Sequence, residues 1–296
     1  MKLKKLLCLL LIGVFALSFA SCQKKPDGDT SSIDSQNAGR KVRVAVSILP
    51  EREFVRKVGG GNVEVITMIP PGNSPANYEP TPYELKLFED ADIYFAIGVP
   101  TESAHILKNV SDKVKVVMLN EAAKEQYDEL TLDGERDVHI WLSPKRVKVM
   151  VDKIAEELSI LDPQNKESYL KNAEDYKNEL DDASTEIRRT LANLKNREII
   201  VYHPFINYFA DEFNLTAHAL ERNGREVYGA ALTEMVDLAK NKKISTVFYQ
   251  KEVSKQGALA FAEDIEGQAV ELMPLAEYYV ENLKNMAEKI KEADSK

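Results

Sequence analysis

The sequence predicts an α/β protein of two lobes, each built on a mainly parallel sheet flanked by helices, with one long rigid backbone helix joining them. Two observations predict this. From Lys41 to the end, apolar runs of strand length alternate with segments of helical periodicity, the signature of strand-helix-strand units. Midway, the alternation gives way to Tyr169, Ala173, Tyr176, Leu180, Ala183, Ile187, Leu191 and Leu194, spaced by fours and threes, which predicts one helix from Asn165 to Asn196 with a single apolar stripe. At about 1.5 Å per residue it spans roughly 45–50 Å, longer than one small lobe.

The chain begins with a targeting signal. Lys2, Lys4 and Lys5 precede an apolar run from Leu6 to Phe19, too short for a membrane span before polar sequence resumes. Residues Phe19-Ala20-Ser21-Cys22 resemble a bacterial lipoprotein cleavage box, so residues 1–21 are expected to leave and Cys22 to carry lipid. Residues 22–40 hold a single apolar side chain of any size, Ile33, and read as a flexible tether. Residues 41–163 are expected to form the N-terminal lobe. Its strands are Val42–Ile48, Val63–Ile69, Ile93–Ile97 and Val114–Leu119, and its helices Glu51–Val58, Pro82–Glu89, Glu102–Val110 and one opening at Ser143-Pro144, with Ser143 as cap. Residues 164–196 are the linking helix. Residues 197–296 form the C-terminal lobe, with strands at Glu198–Tyr202, Thr216–Leu220, Ile244–Tyr249 and Ala269–Met273. Its helices are Ile206–Phe213, Leu232–Lys240, Ser254–Ile265 and Ala276–Lys291.

Composition narrows the function. The 296 residues carry 39 Lys plus Arg against 48 Asp plus Glu, a net charge of −9 that argues against a nucleic-acid partner, which needs a clustered basic face. Two cysteines, one of them in the leader, exclude a disulfide scaffold and a thiolate zinc cage. Binding must therefore use oxygen and nitrogen. Ligands of open α/β sheets sit beyond the carboxyl ends of the strands, and a two-lobed protein offers the crevice between lobes.

Four segments lie there. The first is the loop from Pro70 to Pro82, stiffened by five prolines; the others are Asp137–Pro144, Tyr202-His203-Pro204 and Tyr249–Glu252. Two of the four histidines, His139 and His203, fall in these segments, one in each lobe, where imidazole is a preferred ligand of divalent ions. His105 and His218 sit inside helix and strand patterns and are read as structural. Lys145, Arg146 and Lys148 are read as a solvated helix face, and Arg222–Glu226 as a surface turn. Tyr78, Trp141, Tyr202, Tyr249, Gln250 and Met273 are read as pocket walls. Gly59-Gly60-Gly61 lacks the Lys-Ser/Thr of a phosphate loop.

With these stretches in view, the chain resembles the substrate-binding lipoproteins of bacterial zinc and manganese ABC importers, the cluster with a rigid backbone helix. The matching residues are Val44–Pro50, Pro71-Gly72 through Tyr78–Pro82, Asp137–Pro144, Tyr202-His203-Pro204 and Val270–Leu275, in the family's order. The resemblance implies a lipid-anchored extracytoplasmic monomer. It would capture a divalent metal ion, zinc or manganese, and deliver it to a membrane permease powered by a cytoplasmic ATPase. Only the family's second and third histidines carry over, as His139 and His203. Ala76 stands where the family has its first His, Met273 where a carboxylate is usual, and Gln250 where Glu is frequent.

A closed zinc site takes about four ligands, so three readings stand side by side. Oxygen donors from Asn77, Glu79, Glu221 or Glu252 complete the site, which would suit a harder ion such as manganese. Alternatively, the metal arrives already complexed with a small molecule. In the third reading the two histidines hydrogen-bond a solute that is not a metal. An exported metal-dependent hydrolase is the enzyme reading, with Glu79 or Glu252 as base, but no nucleophile elbow or His-Glu-x-x-His helix is present. Nor is there a repeat of the kind an adhesin would show. The stiff helix predicts small lobe motion, with release by local loop movement.

Overall fold

A computed structural model describes residues 40–222, 225–253 and 255–295. The leader, Cys22 and the tether up to residue 39 lie outside the described residues. Among the described residues, no helix is long and apolar enough to cross a membrane.

The first sheet is formed by β1 (Val42–Val46), β2 (Val63–Thr67), β3 (Ile93–Ala96) and β4 (Lys115–Met118), in the order β2-β1-β3-β4. Every pairing is parallel, with Val44 beside both Val65 and Ile93, and Phe95 beside Val117. The second sheet is formed by β7 (Glu198–Val201), β8 (Thr216–Ala219), β11 (Thr246–Gln250) and β12 (Gln268–Leu272), in the order β12-β11-β7-β8, also all parallel. Strands covered on both faces are continuously apolar, as Ile93-Tyr94-Phe95-Ala96 is. Two short hairpins complete the β-structure, β5 (Thr131–Leu132) with β6 (Glu135–Arg136), and β9 (Glu221–Arg222) with β10 (Arg225–Glu226).

The helices are α1 (Leu49–Gly59), α2 (Pro82–Phe88), α3 (Leu119–Lys124), α4 (Pro144–Leu161), α5 (Lys166–Thr190), α6 (Asn207–Phe213), α7 (Ala230–Lys242), α8 (Lys255–Asp264) and α9 (Tyr279–Asp294). The long helix α5 packs against α1 and α4 on one side and α9 on the other. Its buried stripe, Tyr169 to Leu191, belongs to one apolar core that also contains Val44 and Phe95 of the first sheet and Ile199 and Phe248 of the second. Polar bonds reinforce this junction. The Tyr279 backbone N–H donates to Glu53 at 2.8 Å, Tyr279 Oη donates to the Trp141 carbonyl at 2.6 Å, and Trp141 Nε1 donates to the Pro274 carbonyl at 2.9 Å.

Four expectations are corrected. Helix α5 has 25 residues rather than the 32 from Asn165 to Asn196, or about 37 Å. The chain turns after Leu191, whose carbonyl accepts from Arg197 Nη2, and Lys195 and Asn196 donate their backbone N–H groups to Asp294. Glu102–Ile106 is a π-turn followed by a 3-10 turn, not an α-helix. There the Glu102 carboxylate accepts the N–H groups of Ile97 and Gly98 and the Ser47 hydroxyl, which fixes the loop leaving β3. Ser143 does not cap α4, because its hydroxyl donates to Glu212 at 2.6 Å. The same Glu212 carboxylate accepts the Lys145 backbone N–H, so a residue of α6 performs the capping. Arg146 is buried rather than solvated, stacked 4.8 Å from the Tyr208 ring and donating to the Asp128 carbonyl.

Candidate metal centre

The carboxyl ends of both sheets meet at a cavity of about 270 Å3. Ser74, Pro75 and Ala76 enter it from the loop after β2, Pro100 from the loop after β3, and Leu132 to Trp141 from the excursion between α3 and α4. His203 and Pro204 arrive after β7, Glu221 after β8, Gln250 at the end of β11 and Leu275 after β12. His139 and His203 therefore meet across it.

Their ring centroids are 5.3 Å apart with planes inclined at 76°. Two imidazole nitrogens bound tetrahedrally to one ion at ~2.1 Å would hold the ring centroids about 5–5.5 Å apart. Edge-to-face aromatic packing covers that spacing too, so the groups behind the rings are what distinguish the pair. His139 Nδ1 lies 2.8 Å from Asp137 Oδ1, and His203 Nδ1 lies 3.1 Å from Glu221 Oε2. A carboxylate on Nδ1 holds the proton there, fixes the ring and leaves the Nε2 lone pair for a ligand. Asp137 is itself anchored, accepting the His139 backbone N–H at 2.9 Å and Asn207 Nδ2 at 3.0 Å. Burial pushes the Asp137 carboxyl up, but its hydrogen bond with the His139 side chain, the His139 charge and backbone N–H, and Asn207 together hold it below its ordinary value.

The other residues singled out from the sequence divide into two groups. Glu221, Trp141, Gln250 and Ala76 line the same cavity as the two histidines. Asn77 and Glu79 are exposed and do not line it, while Tyr78 turns to Glu84, its hydroxyl 2.8 Å from both carboxylate oxygens. Glu252 and Met273 line a neighbouring cavity of about 160 Å3 that abuts the first at Leu275. Burial raises the Glu252 carboxyl above its ordinary value. Tyr202 and Tyr249 point into the apolar cluster on the other face of the second sheet, the Tyr202 hydroxyl donating to Glu226. Strand alternation explains Tyr249, since its neighbour Phe248 faces the central core instead. Among the described residues, no group of three or more His, Cys, Asp or Glu side chains is arranged to hold a metal ion. The protein's own offer is a pair of imidazoles.

Sequence reasoning missed Asp137, Arg136 and Asn207. Asp137 had a signal, its position two residues before His139. Asn207 had none, because its partner is 70 residues away.

A model of the family described as zinc-uptake complex component A, periplasmic, matches residues 44–293. The chain belongs to this family. It is 27% identical over 303 residues to the zinc-binding lipoprotein AdcA of Streptococcus pneumoniae, covering 95% of this chain but only 57% of that longer protein. It is 24% identical over 275 residues to the manganese ABC transporter substrate-binding lipoprotein PsaA of Streptococcus anginosus, covering 88% and 87% of the two chains. A crystal structure of ZnuA superposes with a TM-score of 0.81 at 32% identity, over 86% of this chain and 99% of that one. Members of the zinc-uptake component A family are the substrate-binding components of ABC importers, proteins that bind a solute rather than transform it.

Proposed function

We propose that this chain is the extracytoplasmic receptor of an ABC importer that captures a divalent metal ion, zinc or manganese, between its two lobes, with His139 and His203 as protein ligands. The observation that carries the reading is the pair of rings 5.3 Å apart, each with a carboxylate on Nδ1. The metals named for AdcA and PsaA agree with it. On this reading residues 1–21 are removed, lipid on Cys22 anchors the protein to the membrane, and residues 22–40 tether it. Lobes 41–163 and 197–296 hold the cargo between them, joined by the segment 164–196 that contains α5. The protein acts as a monomer, performs no catalysis, and hands its cargo to a permease driven by a cytoplasmic ATPase. The continuous core along α5 favours small lobe motion, so release falls to the loops around Ala76 and Glu221.

Metal analysis of protein purified without chelator, repeated on His139→Ala and His203→Ala, tests the assignment. Wild type is expected to hold up to one equivalent of zinc or manganese and each variant far less. Equal metal content in all three proteins would remove the site.

A further inference from the structure

The cavity around the histidines is much larger than an ion needs. Its volume of about 270 Å3 approaches the ~300–1,000 Å3 of small-molecule pockets and far exceeds the ~10–15 Å3 that one bound water requires. Ala76, at the position where the resembled family places a histidine, lines this space with a methyl group only.

Two polar side chains in the wall keep hydrogen-bond donors to spare. Gln250 is 4% exposed and lines the cavity, and its amide makes no hydrogen bond to another described residue. Its N–H2 group cannot ligate a metal, so half of its bonding capacity is open to an acceptor in the cavity. Arg136 lines the same cavity. Its Nη2 donates to the Gly98 carbonyl and its Nε lies 3.9 Å from Glu129, whereas its Nη1 has no hydrogen-bond partner. A guanidinium nitrogen also asks for an acceptor, preferably a carboxylate oxygen. A bare cation would satisfy neither group.

We infer that the cargo is not a bare ion but a divalent metal held in a complex with a small carboxylate-bearing chelator. His139 and His203 bind the metal, while Arg136 and Gln250 receive the chelator's oxygens. This rests on the proposed metal-receptor function and deepens it. The chelator supplies the coordination positions that the chain leaves open, and its oxygens accept from Arg136 and Gln250. No bond is made or broken beyond exchange of metal-bound water or chelator oxygens for imidazole nitrogen.

The test is equilibrium dialysis of metal-stripped full-length protein against radiolabelled citrate, and separately radiolabelled histidine, with and without zinc. We expect zinc together with one of these chelators to be retained in equal amounts, and the chelator alone not to be retained. Arg136→Gln and Gln250→Leu, with thermal melting checked against wild type, should each lower chelator retention at least tenfold. Zinc retained while both chelators are excluded would overturn the inference and leave the metal-receptor function standing. Retention of neither zinc nor its complexes would overturn both. Unchanged chelator retention in the two variants would overturn the assignment of Arg136 and Gln250.

Discussion

Replacing Asp137 by Asn tests the arrangement behind the first imidazole. The carboxylate does three jobs at once: one oxygen accepts the His139 backbone N–H and holds Nδ1 at 2.8 Å, and the other accepts Asn207 Nδ2. An amide of the same shape cannot do all three. With its oxygen toward His139, its N–H2 group faces the N–H2 group of Asn207; turned around, it presents a donor to the His139 N–H and favours the tautomer with the proton on Nε2, where the metal should bind. Loss of a carboxylate behind a histidine ligand weakens metal affinity by about 10–100-fold, which is roughly 1.4–2.7 kcal/mol. Competition titration of zinc against a fluorescent chelator at neutral pH, on wild type and Asp137→Asn, should show a loss in that range with unchanged far-ultraviolet circular dichroism. Asn207→Ala, which removes only the bond between helix α6 and Asp137, should lose less. Wild-type affinity in Asp137→Asn would refute the claim that this carboxylate sets the state of His139.

Three further outcomes follow from the structure. Tyr279→Phe deletes the buried donor to the Trp141 carbonyl and should cost about 1–3 kcal/mol in urea unfolding; a change within error would show that the carbonyl finds another donor. Burial, with the Glu102 charge nearby, raises the carboxyl of Glu51 well above the ordinary carboxylate range. The folded state therefore holds this proton more tightly than the unfolded state, so stability is lost as pH rises above about 4.5 and through the folded value. Glu51→Gln should have a thermal midpoint that falls less than that of wild type between about pH 5 and pH 8, and parallel curves would contradict the assignment. His218→Ala, which removes the 3.0 Å contact with Glu198 on the second sheet, should leave zinc affinity unchanged, and a loss would place a ligand where none is expected.

The parallel sheets and the long helix were legible in the sequence because each is written in periodicity. Ile93 to Ala96 is apolar without interruption, and Tyr169 to Ile187 repeats by fours and threes. The ends of elements were less legible, since they depend on distant partners. Ser143 has the chemistry of a cap, but Glu212, far along the chain, takes its hydroxyl and its place. Arg146 belongs to a run of basic residues and carries no local sign that Tyr208 and Asp128 will bury it. The site was half legible. The sequence singles out His139 and His203 by placing one before the helix that opens at Ser143-Pro144 and the other after the strand ending at Tyr202, yet it groups Asn77, Glu79, Glu252 and Met273 with them. All four lie at or beyond strand ends, and only the path of each loop shows that these side chains sit outside the cavity. The open amide of Gln250 became visible only once its surroundings were known.

The most direct measurement is anomalous diffraction at the zinc edge from crystals grown with the metal and its chelator. One strong peak is expected about 2.1 Å from Nε2 of both His139 and His203, with density continuing toward Arg136 and Gln250. A peak elsewhere, or two rings with solvent between them, would contradict it.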